Sequence, residues 1–225
     1  MSKGVTMNRV HLCDCMDIMR MMPDKSVDLC IVDPPYGIGS GKELEHNGWK
    51  SYGVKEWDNS PPKKEYFNEL FRISKNQIIW GANHFISMIP FNFSCFLIWD
   101  KGQRDFSLAD GEMAWTSFTS SARFFNYSRA KAIQEGKIHP TQKPIALYKW
   151  ILKNYAKPND KIFDSHVGSG SIRIACHDMG FDFEGCEIDK DYWEAQEERY
   201  NQHIMQGDLF SGEDIQKEIY QGRLL

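Results

Sequence analysis

The sequence predicts an α/β protein in which a parallel sheet is covered by helices on both faces. Three observations predict it. The run VDLCIV (27–32) is continuously apolar over a strand's length, as in strands buried on both sides. From Pro144 onward, strand-like and helix-like segments alternate. Acidic, glycine-bearing corners follow two of the apolar runs, where open α/β sheets bind their ligands.

In chain order, VHLCD (10–14) reads as a strand and MDIMRMM as a helical turn or two ending before Pro23. VDLCIV is the next strand. Residues 37–62 are rich in Gly, Lys, Asn and Trp without a period, and read as a long loop. KKEYFNELFRIS has apolar residues at 67, 70, 71 and 73, the spacing of an amphipathic helix. NQIIWG is then a strand, HFISMI a short helix and SCFLIWD another strand. Residues 101–138 are mixed, with strand-like pieces at EMAWTSF and RFFNY. IALYKWILKNYA is a helix whose start is set by Pro144, KIFD (161–164) a strand, and SIRIACHDMG a helix closed by Gly180. FDFEGCEID is a strand and YWEAQEERYNQHI a helix, followed by a polar tail.

At 225 residues the chain has room for one sizeable domain. Hydrophobic residues make up 41% and charged residues 26%, the mix of a soluble globular protein. No stretch is long and apolar enough to span a bilayer, and the N-terminus lacks the apolar core of a signal peptide, so a cytoplasmic location is expected. The six cysteines form no CxxC pair, and reduced thiols rather than a metal site or disulfide framework are expected. The net charge of −4 argues against a generally basic nucleic-acid binder. The charge is uneven, however: Arg123 to Lys143 holds five basic side chains and one acid, enough for a local phosphate-binding face.

Two corners carry candidate chemistry. In IVDPPYGIG, Asp33 sits where the strand should end. Pro34 and Pro35 stiffen the turn and remove two N–H donors, so the corner offers acceptors only. Tyr36 adds an aromatic face. Such a corner suits a planar group bearing an NH₂; the plainer reading is an Asx-Pro turn with a packed tyrosine. In KIFDSHVGSGSIRIA, an acid and Gly168-Ser169-Gly170 open a helix, giving close backbone approach and free N–H groups. Glu187 ends the following strand, 17 residues after Gly170, placed to accept ribose hydroxyls. With no third glycine of the pyrophosphate pattern, a ligand with ribose but no pyrophosphate fits better. Between the corners lies HPTQKP (139–144).

IVDPPYGIG, HPTQKP and DSHVGSGS, in that order, closely resemble the β-class DNA amino-methyltransferases, from about Val10 to Tyr200. The resemblance implies a Rossmann-like methyltransferase fold with a mixed, mostly parallel sheet and one antiparallel strand. It implies one domain over 1–203, recognition insertions at about 37–60 and 101–138, and a tail at 204–225. Asp33, with the Pro34 carbonyl and Pro35 in the same catalytic corner, would hold the target amine, and Tyr36 would stack on the base. The cofactor, S-adenosylmethionine, would lie along Asp164, His166, Gly168, Ser169, Gly170 and Ser171, with its ribose on Glu187 and its adenine at Asp14 and Cys15. Asp33 would border it too, and His139, Thr141 and Lys143 would hold its methionine end. WGANH (80–84) and FLIWDKG (96–102) would shape the pocket. One departure is Asp164-Ser165-His166 where relatives read Asp-Pro-Phe, which takes a proline and an aromatic out of the cofactor's wall.

The expected activity is methyl transfer to the N6 amine of an adenine flipped out of double-stranded DNA. An acid at position 33 points to adenine, since a serine there is typical of the cytosine-N4 enzymes. Lys42, Lys50, Arg123, Arg129 and Lys131 are candidate DNA contacts. A homodimer is common in this family, and QGDLF (206–210) resembles a sliding-clamp-binding peptide. Two other readings are weighed: glutamine methyltransferases of release factors, which place the cofactor motif first, and a DNA-binding relic whose cofactor pocket failed at Ser165-His166.

Overall fold

The computed structural model describes residues 7–38, 58–90, 94–104, 109–136, 138–139 and 141–211, with side chains to residue 206. Strands β1 (Asn8–Leu12), β2 (Val27–Val32), β3 (Ser74–Trp80), β4 (Phe96–Asp100), β5 (Gly111–Thr116), β6 (Arg123–Asn126), β7 (Lys161–Asp164) and β8 (Asp182–Glu187) form a single sheet. Their order is β1-β8-β7-β2-β3-β5-β4-β6. All neighbours are parallel except at β5, which runs antiparallel to both β3 and β4. The mostly parallel sheet with one reversed strand is thus as expected.

Helices α1 (Cys15–Met21), α2 (Lys64–Ile73), α3 (Arg129–Gln134), α4 (Ile145–Tyr155), α5 (Ser171–Met179) and α6 (Lys190–Ser211) complete the described elements. Residues alternate along the central strands between two cores. Leu29, Ile31, Ile78 and Ile162 pack on one face with Leu147 and Ile151 of α4 and Ile172 and Ala175 of α5. Cys30, Val32, Ile79 and Phe163 pack on the other with Met19 of α1 and Phe67 and Leu70 of α2. The period of two in strand side chains sends successive residues to opposite layers, so an unbroken apolar run such as VDLCIV feeds both.

Connectivity sets where the ligand crevice lies. From β2 the chain passes through α2 to β3 on one side; from β7 it passes through α5 to β8 on the other. Right-handed crossovers in opposite directions put α2 and α5 on opposite faces. The carboxyl ends of β2 and β7, hydrogen-bonded neighbours at Cys30 and Phe163, therefore border the switch point.

Three segments depart from expectation. HFISMI forms no helix beyond a 3-10 turn at Ala82–His84. Phe85 and Ile89 are both buried, which mimics a helical period, but Gly81 in a left-handed conformation (φ 67°) reverses the chain and Pro90 follows. Helix α3, capped by Ser128, buries no residue and so has no apolar period to betray it. Helix α6 continues to Ser211, so Gln206–Phe210, expected in a polar tail, are helical in backbone; the side chains after 206, and residues 212–225, lie outside the described residues. The six cysteines are free thiols. No helix among the described residues is long and apolar enough to cross a membrane.

Candidate active site

The corner after β2 is built around Asp33. One carboxylate oxygen accepts the Tyr36 hydroxyl at 2.7 Å, and the other is bound by the Lys143 ammonium. The Tyr36 ring stacks on His84 (4.9 Å, 13° between planes) and meets Phe85 edge-on. It also lies over the bare Gly81 backbone, where a Cβ would sit 2.1 Å from the ring. Gly37 donates its N–H to Asp58 at 2.7 Å and has φ 73°, with Pro61 packed where a side chain would go. The WGANH segment thus shapes the corner by supplying both a cavity for Tyr36 and a ring to stack on it.

Lys143 is the hub of a charge cluster. Its side chain is 1% exposed, and besides Asp33 it reaches Glu112 of β5 at 3.1 Å. Glu112 in turn pairs with Lys101 at 2.7 Å, and the Lys143 ammonium lies 5.1 Å from the Trp80 ring centroid. Two cations and two anions share one site, so no charge is left uncompensated. Burial would strip the proton from Lys143, but Asp33 and Glu112 outweigh it and hold its pKa up. Burial pushes Glu112 up as well, yet Lys143 and Lys101 hold it at about 2. For Asp33, burial wins over Lys143 and its carboxyl pKa is raised, with Glu112 adding to the rise.

The glycine corner after β7 is held from three sides. Glu187, at the end of β8, accepts the Gly168 N–H at 2.8 Å and the Asp189 N–H at 2.9 Å. The imidazole of His139 lies against Gly168, which has φ 53°. The same ring meets Tyr192 of α6 at 4.3 Å, and its Nδ1 accepts the Thr141 N–H at 3.3 Å. Gly170, also left-handed at φ 74°, precedes α5. Ser171 bonds the Ser169 hydroxyl and is itself bound by Arg199. Behind the loop, Asp164 is 1% exposed and accepts the His166 N–H at 3.0 Å. Burial drives its pKa to about 8; the His166 N–H opposes the rise, and Asp33 and Glu187 reinforce it.

At Ser165-His166, where the resemblance leads one to expect proline and an aromatic, this chain builds a line of hydrogen bonds. The Tyr66 hydroxyl meets Ser165 Oγ at 2.7 Å, and Ser165 Oγ meets His166 Nδ1 at 2.8 Å. Tyr66 and His166 also touch edge-on at 5.4 Å. Burial lowers the His166 pKa to about 4, so the imidazole is neutral at physiological pH. The departure leaves a satisfied wall, not a gap.

These pieces face one cavity of about 650 Å³. Its wall takes in Asp33 and Pro35, then His139, Thr141 and Lys143, then 165–169 and Glu187, with Asp14 and Cys15 from the start of α1. Asp14 caps α1 by accepting the Met16 N–H at 2.8 Å, and burial pushes the Cys15 thiol up to about 12. Pro34, Tyr36, Asp164, Gly170 and Ser171 do not line the cavity. Tyr36 packs against Gly81 and His84 and donates its hydroxyl to Asp33. Lys143, expected on a cofactor, has its ammonium on Asp33 and Glu112.

Sequence reasoning missed Glu112, Tyr66 and Tyr148, the last two lining the cavity from α2 and α4. Glu112 sits in EMAWTSF directly before the apolar Met113, Ala114 and Trp115, and an acid opening such a run was the available signal. Of the candidate DNA contacts, Arg123 and Lys131 are exposed on β6 and α3, while the Arg129 N–H bonds the Lys101 carbonyl. Since β6 runs with β4, α3 leaves the sheet on the same carboxyl side as the cavity. Lys42 and Lys50 lie outside the described residues.

Comparison with known proteins agrees with this architecture. The chain is 28% identical to the type II methyltransferase M.HinfI of Haemophilus influenzae over 244 residues, covering 86% of this chain and 68% of the relative. The crystal structure of an M1.HpyAVI–SAM complex superposes with a TM-score of 0.59 at 21% identity, covering 85% of this chain and 98% of that one. The cytosine-N4-specific PvuII DNA methyltransferase does so with 0.58 at 13% identity, covering 88% and 92%. Residues 79–198, more than half of the chain, match the N6_N4_Mtase family model, described as DNA methylase, and the protein belongs to that family.

Proposed function

We propose that this chain transfers a methyl group from S-adenosylmethionine to the N6 amine of adenine in double-stranded DNA. The observation that carries the reading is that Asp33 opens onto the same cavity as the Gly168–Ser169 loop and Glu187, although these residues are more than a hundred positions apart. When bound, S-adenosylmethionine supplies a methyl carried on a positively charged sulfur.

The residues present fit such a ligand. Gly168 offers backbone with no Cβ in the way, Glu187 keeps lone pairs for ribose hydroxyls, and the Asp33 carboxylate opens onto the cavity, where it favours a cation. Asp14 and Cys15 would border the adenine and His139 and Thr141 the methionine end. The satisfied Tyr66–Ser165–His166 wall argues against a relic with a collapsed pocket.

An exocyclic amine is a weak nucleophile because its lone pair is delocalised into the ring. Asp33 presents acceptors at a corner that Pro34 and Pro35 strip of N–H donors, which favours a pyramidal nitrogen with its lone pair free. Tyr36 and Lys143 hold the Asp33 carboxylate in one orientation, so the acceptor is organised before the base arrives. The adenine must leave the duplex, at a cost of a few kcal/mol of unstacking. The choice of adenine over cytosine rests on the acid at position 33. Asp33→Ala should abolish transfer of a radiolabelled methyl to unmodified DNA while cofactor binding survives in part. Mapping modified bases in a methylation-free bacterial host reads the target directly, and N4-methylcytosine there would replace the adenine reading.

A further inference from the structure

We propose that Glu112 is a positioning residue that sets the strength of the Asp33 acceptor by dividing the Lys143 charge between two carboxylates. The inference rests on the methyl-transfer reading above. Glu112 stands on the antiparallel strand β5 and does not line the cavity. Its carboxylate bridges two ammonium groups, Lys143 at 3.1 Å and Lys101 at 2.7 Å. Lys143, 1% exposed, is the group it shares with Asp33.

A lysine bound to Asp33 alone would spend its whole charge there and leave the carboxylate a poor acceptor for an amine. Glu112 draws part of that charge away, and Lys101 in turn tempers Glu112. The arrangement is therefore graded: each removal along the line reverses the sign of the last. The ionisable groups that bear on Asp33 are Tyr36 in its own corner, Lys143 before α4, Tyr148 on α4, Glu112 on β5 and Asp164 on β7. Of these, only Glu112 shares the Lys143 ammonium with Asp33, and it does so without facing the cavity.

The test is single-turnover methyl transfer against pH for the wild type, Glu112→Gln and Lys101→Met, with S-adenosylmethionine affinity measured by calorimetry and folding by thermal melting. Glu112→Gln removes a negative neighbour, so the acid limb of the rate should move to lower pH and the rate on the plateau should fall about 10- to 100-fold, the scale of one charge-assisted hydrogen bond. Lys101→Met removes a positive charge from the far side of Glu112, so its limb should move to higher pH. Cofactor affinity should stay within about threefold in both, a change no larger than the weaker end of one hydrogen bond's net worth. Opposite limb shifts are a signature that a purely structural role does not produce, and Lys101→Met alone still reports should Glu112→Gln not fold. Limbs that coincide with the wild type's, or a rate loss that tracks a loss of cofactor affinity, overturn the positioning role. A wild type that binds cofactor yet transfers to no DNA overturns the methyl-transfer reading and the inference with it.

Discussion

Replacing Lys143 by Met separates two roles for this residue. The side chain keeps its length and loses its charge, leaving Asp33 and Glu112 without their shared partner. Stranding a buried carboxylate costs about 3–5 kcal/mol. Here Asp33 is 16% exposed and Glu112 keeps Lys101 at 2.7 Å, so the lower end of that range, about 3 kcal/mol, applies. For a chain of this size that lowers Tm by about 6–12 °C. The deficit should shrink toward pH 5, because protonating Asp33 relieves the stranded charge. Methyl transfer should fall to background. Cofactor affinity, measured by calorimetry on the folded variant at 20 °C or below, should change little, since the Lys143 ammonium is committed to Asp33 and Glu112. A Lys143→Met protein of wild-type stability whose cofactor affinity is lost in step with transfer would refute this reasoning. It would return Lys143 to the cofactor.

Two further outcomes follow from neighbouring geometry. Gly81→Ala combines a left-handed backbone with a methyl 2.1 Å from the Tyr36 ring, so strain and overpacking together should cost about 2–5 kcal/mol in denaturant unfolding, and transfer should drop as Tyr36 releases Asp33; wild-type stability would show that the ring yields freely. Asp164, with a folded pKa of about 8 against an ordinary 3.8, holds a proton in the native state that the unfolded chain gives up, so its contribution to stability is full below about pH 4 and is lost as pH rises to about 8. Asp164→Asn should therefore gain in Tm over the wild type as pH is raised from 5 to 8, and a constant difference across that range would contradict a buried, protonated Asp164. The same proton should be released when a sulfonium binds nearby, detectable in calorimetry as heat that depends on the buffer.

Much of the site was legible because its motifs are local. Asp33 with its prolines, the Gly168–Gly170 turn and Glu187 each declare their chemistry within a few residues, through backbone conformations and donor counts that proline and glycine impose. The elements were legible where burial imposes a period, as in α2, α4 and the central strands. They were not where burial is absent, as in α3, or where one left-handed glycine redirects the chain, as after β3.

The sequence by itself determined that two stiff acidic corners follow buried strands, that one of them lacks N–H donors, and that the chain forms a mostly parallel sheet. Which residues stand beside them was decided by tertiary structure alone. The parallel pairing of β2 with β7 joins corners encoded 131 positions apart at Asp33 and Asp164, and the reversed β5 delivers Glu112 to Lys143. It also turned Tyr36 onto His84 and tied Lys143 to Asp33. The reason is physical: a buried charge must find its counter-charge wherever the sheet brings one, and strand order, unlike a turn or a helical period, is written in no local run of residues.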